Sequence, residues 1–378
     1  MRRCSMIGGP KRENAPLRNL DSFAPAWVRV TRFRVSRWAV AALATAACAQ
    51  QRTASPGPAT VLDDVVFSSY SPLSRTAEIA RRTLPPLTLR RGEETFAARG
   101  ERFREQPVDL SKERFTLYVP GGAPPPEGYG LLVFVAPWPE PTRPRQWQLP
   151  LNRHRLIFVS ATNSGNDASV LDRRLPLALL GYENVRLRYR IDPKRVYIGG
   201  LSGGSRVAEI TALAYPDVFR SALLNAGSDP IGGQSGIYLP PADLFEKFQK
   251  TRIVFATGDK DELNLRDDGA TRASLKEWCV FDVEVRTARG LGHEPLDAPN
   301  LDRALSALDE HSAPDRDEQA RCTERIQREL GAKLEEAAAA IARGERDRAR
   351  ELLGAISYRY GGVAARAVLE LDARLTHG

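Results

Sequence analysis

The sequence of 378 residues is poor in the side chains that most often hold metal ions, since it has only four histidines and four cysteines. No two of them have the spacing His-x-x-x-His or Cys-x-x-Cys, so the common types of zinc site are not expected. The chain also lacks a glycine-rich phosphate loop of the Walker type, which argues against nucleotide chemistry. We therefore expect a function that needs no cofactor.

Net charge is nearly absent once the first residues are set aside. The whole chain has a formal net charge of +8, but residues 1–47 contain nine lysines and arginines and two acidic residues, which leaves about +1 for the rest. Proteins that bind nucleic acid usually carry their basic residues as a patch on the folded domain. No nucleic-acid partner is therefore predicted.

Long hydrophobic runs are missing as well. The apolar stretch WAVAALATAACA near the start has 12 residues, which is too short to span a bilayer, and the basic segment RVTRFRVSR precedes it. This order is typical of a secretory signal peptide, with cleavage after Ala46 or Ala49, so we expect an exported protein. The run LATAAC also resembles a bacterial lipoprotein box with Cys48 as the lipidated residue, although Thr45 stands where leucine is usual. Soluble export, periplasmic or extracellular, and a membrane anchor at Cys48 both remain open.

Seven short apolar runs predict β-strands: ERFTLYVP, GYGLLVFVAP, RLIFVSAT, RVYIGG, SALLNAG, RIVFATG and FDVEVRTA. Several are nearly continuous in apolar residues, as strands buried on both faces are, and helical segments lie between many of them. The pattern predicts an α/β fold with a mainly parallel central sheet flanked by helices, plus a C-terminal helical extension. We divide the chain into a leader (1–49), a tether with an N-terminal embellishment (50–110), a catalytic domain (111–312) and the helical extension (313–378).

One serine lies among four glycines. Residues 200–204 fit the pattern Gly-x-Ser-x-Gly, with the apolar run RVYIGG before the serine and the helical pattern SRVAEITALAY after it. In this context the motif is typical of a nucleophile elbow, in which glycines relieve clashes so that the serine stands on a strained turn. Ser202 is thus the candidate nucleophile. The N–H of Gly203, where the next helix starts, is a candidate donor to an oxyanion.

A serine hydroxyl needs a base to accept its proton, and the chain offers few. In folds with this elbow an acid and then a histidine follow the serine. Of the four histidines, one precedes the serine, one lies in a charged stretch and one is next to the C-terminus, which leaves His293 in RGLGHEPLD. Before it, the predicted strand RIVFATG is followed by Asp259 and Asp261, and either could orient the imidazole.

These motifs resemble the α/β-hydrolase superfamily and, within it, the secreted esterases grouped with polyhydroxybutyrate depolymerases and feruloyl esterases. The closer likeness is carried by IDPKRVYIGGLSGGSRVA, YPDVFRSALLNAG, FATGDKDELN and GLGHEPLD, between Glu113 and Leu308. The resemblance implies an α/β-hydrolase fold and hydrolysis of a carboxylic ester, small or polymeric, through an acyl-enzyme. In related enzymes two residues separate the loop glycine from the acid, which favours Asp261 over Asp259.

The second oxyanion donor in this family comes from the loop after the strand GLLVFVAP. Many relatives have His-Gly there, whereas this chain has Ala136-Pro137-Trp138-Pro139. Because proline has no N–H, Trp138 is the candidate donor, and it stands at the residue that usually provides it.

Three other functions fit the same residues. A serine peptidase and an acyltransferase would use the same triad with a different pocket. The alternative from another class is a non-catalytic, hydrolase-like binding protein in which the helical extension binds the partner.

Two of the four cysteines lie in the leader, which leaves Cys279 and Cys322 in the exported body. An even pair in an oxidising compartment favours a disulfide, which would pin the helical extension to the catalytic domain and close a segment that contains His293. The alternative is two buried free thiols, because spacing in sequence does not determine the Cα separation.

Overall fold

The computed structural model describes residues 57–140, 143–233 and 235–377. The predicted leader with its candidate anchor Cys48, and the first part of the tether, lie outside the described residues. Within these ranges, no helix combines the length and the apolar character that a membrane span requires.

The described chain contains one sheet of eight strands: β1 (Thr60–Val65), β2 (Phe115–Val119), β3 (Tyr129–Val135), β4 (Leu156–Ala161), β5 (Ile191–Leu201), β6 (Ser221–Asn225), β7 (Arg252–Phe255) and β8 (Val283–Val285). Their order is β1-β2-β4-β3-β5-β6-β7-β8. β2 is antiparallel to both of its neighbours, whereas the other neighbouring strands are parallel. The predicted mainly parallel sheet is confirmed; β2 to β8 each overlap one of the seven predicted runs, and β5 begins before its run, at Ile191.

Helices cover both faces of the sheet. In chain order the described helices are α1 (Thr76–Thr83), α2 (Pro86–Ala98), α3 (Gln148–Arg153), α4 (Leu175–Arg188), α5 (Gly203–Ala214), α6 (Ala242–Phe248), α7 (Glu262–Glu277), α8 (Ala298–Asp309), α9 (Arg316–Ala342), α10 (Arg346–Tyr360) and α11 (Ala365–His377). Apolar residues of α4 and α5 pack on one face of the sheet, and those of α3 and α8 pack on the other. The α/β-hydrolase architecture expected from the resemblance is thereby confirmed.

The central strands are largely apolar because both faces of the sheet are covered. Every residue of β3, β4 and β6 is buried. In β3, Leu131 and Val133 belong to the core on one face, while Leu132 and Phe134 belong to the core on the other. A strand buried on both sides has no polar face, so its sequence shows a continuous apolar run instead of an alternation.

The C-terminal extension packs on the layer that contains α4 and α5. Leu353, Ile356 and Tyr360 of α10 are buried in the same core as those helices. The Ser357 hydroxyl of α10 also accepts the N–H of Leu87 in α2 at 3.2 Å. The extension therefore contacts the N-terminal helices as well as the catalytic domain.

A disulfide links the extension to the catalytic domain. It joins Cys279, just after α7, to Cys322 on α9, and the two Cα atoms lie 5.8 Å apart. Cys279 is fully buried, and its φ of 63° places it in the left-handed region. The linked segment contains β8, the loop with His293, and α8.

A polar group lies at the edge of the sheet where the parallel strands begin. His311 Nδ1 is 3.0 Å from Asp282 Oδ2, and His311 Nε2 is 3.4 Å from the hydroxyl of Ser221. Ser221 is fully buried, and its hydroxyl donates to the carbonyl of Leu308 at 2.9 Å. The buried guanidinium of Arg252 donates to Asp282 at 2.5 Å. These bonds tie the end of α8 and the chain that follows it to the sheet.

Candidate active site

Ser202 stands at a sharp turn between the end of β5 and the start of α5. Its φ of 55° and ψ of −126° lie in a region that residues with side chains rarely adopt. The glycines around Ser202 are required because the neighbouring backbone leaves no space for a Cβ. A Cβ at Gly200 would lie 2.2 Å from the carbonyl oxygen of Gly204, and a Cβ at Gly204 would lie 2.0 Å from that of Val135. The turn therefore has the geometry of a nucleophile elbow.

A chain of hydrogen bonds runs from this serine into the protein. His293 Nε2 lies 2.9 Å from Ser202 Oγ, and His293 Nδ1 lies 2.7 Å from Asp261 Oδ2. Asp261 is buried, whereas 47% of the His293 side chain is exposed. When Nδ1 carries its proton toward the carboxylate, Nε2 presents a lone pair to the serine hydroxyl. The structure thus brings together the three side chains that the sequence singled out.

The two candidate acids have different partners. Asp261 is the N-cap of α7 and faces the imidazole of His293. Asp259 accepts the N–H of Gly290 at 2.9 Å, so it braces the start of the loop that carries the histidine. Asp261 is therefore the carboxylate beside the imidazole, and Asp259 is the carboxylate that supports the loop.

The sequence did not single out Asn264, in the first turn of α7. Its carboxamide nitrogen lies 3.0 Å and 2.8 Å from the two carboxylate oxygens of Asp261, and 3.1 Å from His293 Nδ1. Asn264 is only 6% exposed. Its position three residues after Asp261 gave the only hint, because the third residue of a helix lies beside its N-cap.

Two backbone N–H groups near the serine turn are candidate donors to an oxyanion. Within the described residues, neither the N–H of Gly203 nor that of Trp138 has a hydrogen-bond acceptor. The loop of Trp138 reaches the turn closely, since a Cβ at Gly204 would lie 3.1 Å from the carbonyl carbon of Ala136. Free N–H groups beside a nucleophile can bind an oxyanion.

The loop after β4 also reaches the serine turn, and the sequence did not predict this. The N–H of Asn166 donates to the carbonyl of Pro137 at 2.9 Å. The Asn166 side chain lies over Gly203, where an added Cβ would be 2.3 Å from its Oδ1. Asn166 is exposed, so its carboxamide stands at the solvent side of the candidate oxyanion site.

A buried arginine holds the two loops on this side together. Arg174 donates to the carbonyl of Ala136 at 3.0 Å and to that of Ser164 at 2.9 Å. Burial lowers the pKa of Arg174 to about 10. Both carbonyls belong to loops that follow strands, β3 in one case and β4 in the other. Arg174 therefore joins the loop of Trp138 to the loop of Asn166.

Carboxyl groups are buried behind the serine turn. Burial raises the pKa of Glu209 on α5 well above its ordinary value, and Glu209 accepts the N–H of Asp229 at 2.9 Å. Burial also raises the pKa of Asp268, which accepts hydrogen bonds from the hydroxyl of Ser228 at 2.7 Å and from that of Thr257 at 2.5 Å.

No cluster of three or more histidine, cysteine, aspartate or glutamate side chains among the described residues could hold a metal ion.

No family model matches the sequence. Among curated proteins, the poly(3-hydroxyalkanoate) depolymerase C of Paucimonas lemoignei is 43% identical over 51 residues, which make up 14% of this chain and 11% of that protein. The match therefore spans only about a tenth of the length of that relative.

Solved structures of several hydrolases are similar to this chain at low identity. The s-formylglutathione hydrolase of Staphylococcus aureus is 14% identical with a TM-score of 0.41, over 52% of this chain and 93% of the other. A poly(3-hydroxybutyrate) depolymerase of Bordetella parapertussis is 18% identical with a TM-score of 0.39, over 56% and 88%. A ferulic acid esterase is 15% identical with a TM-score of 0.42, over 66% and 95%. The fold assignment rests on the strand order and the serine turn of the chain itself.

Proposed function

We propose that the protein is an exported serine hydrolase that cleaves carboxylic esters through an acyl-enzyme on Ser202. The observation that carries the proposal is the unbroken series of hydrogen bonds from Ser202 through His293 to Asp261. A half-exposed imidazole gives a substrate access to the serine, while the buried carboxylate keeps the ring oriented. The same three residue types perform acyl transfer on several unrelated folds.

In the proposed reaction Ser202 Oγ attacks the ester carbonyl carbon while His293 Nε2 accepts the hydroxyl proton. The carbonyl π electrons move to the oxygen, which becomes an oxyanion. When the tetrahedral intermediate collapses, the C–O bond to the alcohol breaks and the alcohol takes the proton from the imidazolium. Water then attacks the acyl-enzyme in the same way, which releases the acid and restores the serine. Throughout, the Asp261 carboxylate accepts a hydrogen bond from His293 Nδ1–H, stays ionised and stabilises the imidazolium.

The oxyanion requires donors that are already in place. We assign this role to the N–H groups of Gly203 and Trp138, because both are free of other acceptors in the described chain. One such donor typically contributes a factor of about 10²–10³ to turnover. Arg174 supports this arrangement because it donates to the carbonyl of Ala136, two residues before Trp138.

The substrate class is proposed to be a carboxylic ester, either a polyester or a small molecule. Support comes from the 51-residue match to a protein named as a poly(3-hydroxyalkanoate) depolymerase. Export is supported by the leader with the layout of a signal peptide and by the Cys279–Cys322 disulfide, because disulfides persist in oxidising compartments.

The test is reaction of the purified protein with a fluorophosphonate probe, location of the adduct by mass spectrometry, and hydrolysis of short-chain p-nitrophenyl esters. We expect the adduct on Ser202. Ser202→Ala should abolish labelling and lower ester turnover by about 10⁶-fold, with the fold retained. If the variant kept more than a few per cent of the wild-type turnover, Ser202 would not be the nucleophile.

Ser221→Ala is the matched control, because Ser221 also lies beside a histidine and an aspartate but is fully buried. This variant should be labelled as the wild type is.

Other outcomes would identify other functions. A labelled protein that cleaved peptides would be a peptidase, and one that transferred acyl groups to an added alcohol faster than to water would be an acyltransferase. A protein that was neither labelled nor active would be a binding protein.

A further inference from the structure

We infer that Asn264 is a positioning residue for the proposed triad and can replace Asp261 as the acceptor of the His293 Nδ1 proton. The inference rests on the proposed function of this site. It starts from an asparagine that is 6% exposed and whose carboxamide contacts both the acid and the imidazole.

The first step concerns the donors to the carboxylate of Asp261. Within the described residues, those donors are the imidazole of His293, the side chain of Asn264 and the backbone N–H of Asn264. The backbone contact is the longest, at 3.4 Å. The carboxamide is therefore the main group, apart from the histidine, that holds the carboxylate in place beside the ring. A hydrogen bond to a charged carboxylate is stronger than one between neutral groups.

The second step concerns the contact between the carboxamide and the histidine. Asn264 Nδ2 lies 3.1 Å from His293 Nδ1, and both nitrogens are donors when Nδ1 carries its proton toward Asp261. This contact therefore contributes no hydrogen bond in the active tautomer. A half-turn of the carboxamide would bring its oxygen to the same place, where it could accept the Nδ1 proton. Cysteine proteases use an asparagine in this role, so the chemistry is feasible.

A comparison within the chain separates this role from helix capping. α8 begins in the same way as α7: Asp297 is its N-cap and accepts the N–H of Asn300 at 2.9 Å. The side chain of Asn300, however, donates to the carbonyl of Arg289, accepts from Arg303 and, among the described residues, has no hydrogen bond to a histidine. The cap thus uses the backbone N–H, which an alanine also has. Asn300→Ala is therefore the matched control for Asn264→Ala.

The kinetic test measures kcat, KM and the pH dependence of kcat/KM for p-nitrophenyl ester hydrolysis. Asn264→Ala should lower kcat by about tenfold, as expected for the loss of one charge-assisted hydrogen bond, with KM changed less than twofold. Asn300→Ala should keep kcat within twofold of the wild type. In an Asp261→Ala background, the further change Asn264→Ala should lower kcat again by at least about tenfold, because it removes the reserve acceptor.

Asn264→Asp provides a readout that loss of stability would not change. The new carboxyl would lie beside the Asp261 carboxylate as well as the imidazole, and an imidazolium relieves the repulsion between two carboxylates, so the acid limb of the kcat/KM profile should move about one unit to higher pH. The titration midpoint of His293, followed by NMR, should move by the same amount. The other carboxylates that bond to the loop of His293 are Asp259, on the loop after β7, and Glu294, on the loop itself; both accept backbone N–H groups and are unchanged in the variant.

The proposal is overturned if Asn264→Ala matches Asn300→Ala in kcat while neither the pH profile nor the NMR midpoint moves in Asn264→Asp. Failure of the proposed function is a separate result. It would appear in the wild type, as absent probe labelling and absent ester hydrolysis. The NMR midpoint and its shift in Asn264→Asp would still test whether Asn264 acts on the imidazole.

Discussion

Replacing Cys322 with serine should lower the free energy of unfolding by about 4 kcal/mol. The two cysteines are 43 residues apart in the sequence. Closing a loop of that length removes about 13 cal/mol/K of entropy from the unfolded chain, which amounts to about 4 kcal/mol at 25 °C. Serine is close to cysteine in size, and Cys279 stays in place in the core, so loss of packing should add little.

The assay is equilibrium unfolding in urea under oxidising conditions, followed by far-UV circular dichroism. The wild type measured with a thiol reductant is the control, and it should match Cys322→Ser. If the variant and the oxidised wild type had the same midpoint and slope, the entropic reasoning would be refuted.

The extension itself should stay in place after reduction. Leu353, Ile356 and Tyr360 remain buried against the catalytic domain, and Arg359 donates to the carbonyl of Gly232 at 2.9 Å. Limited proteolysis of the reduced protein should therefore not release the extension faster than it degrades the whole chain. Early release of a C-terminal fragment would show that the disulfide, and not packing, holds the helices.

Three further predictions concern the site. Asp261→Asn should lower kcat for ester hydrolysis while Asp259→Asn has a much smaller effect, because only Asp261 faces the imidazole; the reverse ranking would reassign the acid. Gly203→Ala should leave the urea midpoint nearly unchanged, because its Cβ would meet the end of an exposed side chain. Gly204→Ala should lower the free energy of unfolding by about 3 kcal/mol, because its Cβ would lie 2.0 Å from backbone. Equal urea midpoints for the two variants would contradict this. Glu209→Gln should gain stability relative to the wild type as the pH rises from 5 to 8. Burial raises the pKa of Glu209, so in this range the folded wild type holds a proton that the unfolded chain has lost. A difference in unfolding free energy that did not change with pH would rule this out.

Burial explains why β3 and β6 could be predicted from the sequence and β1 could not. β3 and β6 are covered on both faces and contain the runs LLVFV and ALL. β1 was not predicted: its sequence is TVLDDV, and five of its six residues are exposed at the edge of the sheet. An edge strand that buries little has no apolar period to detect.

Some residues of the candidate site could also be predicted from the sequence, and others could not. Ser202 could be predicted because its glycines are a local requirement of the turn, and His293 because the chain has few histidines. Arg174 and Asn166 could not be predicted, because their roles depend on contacts with carbonyls and glycines that are distant in the sequence. Backbone carbonyls exist at every residue, so no pattern of residue types marks the partner.

The group of Ser221, His311 and Asp282 repeats, at the other end of the strands, the atom-to-atom order of Ser202, His293 and Asp261. Its serine already donates to a backbone carbonyl and faces no solvent, so it has neither a free lone pair aimed outward nor room for an acyl group. A search of this molecule for the hydrogen-bonded series Ser-His-Asp would find both groups. The two groups have the same side-chain types, partly exposed histidines and buried aspartates, and they differ in that Ser221 is fully buried. Under the proposed function, Ser202 is reactive because of where it stands, and engineering a second site would require opening the sheet edge before changing any side chain.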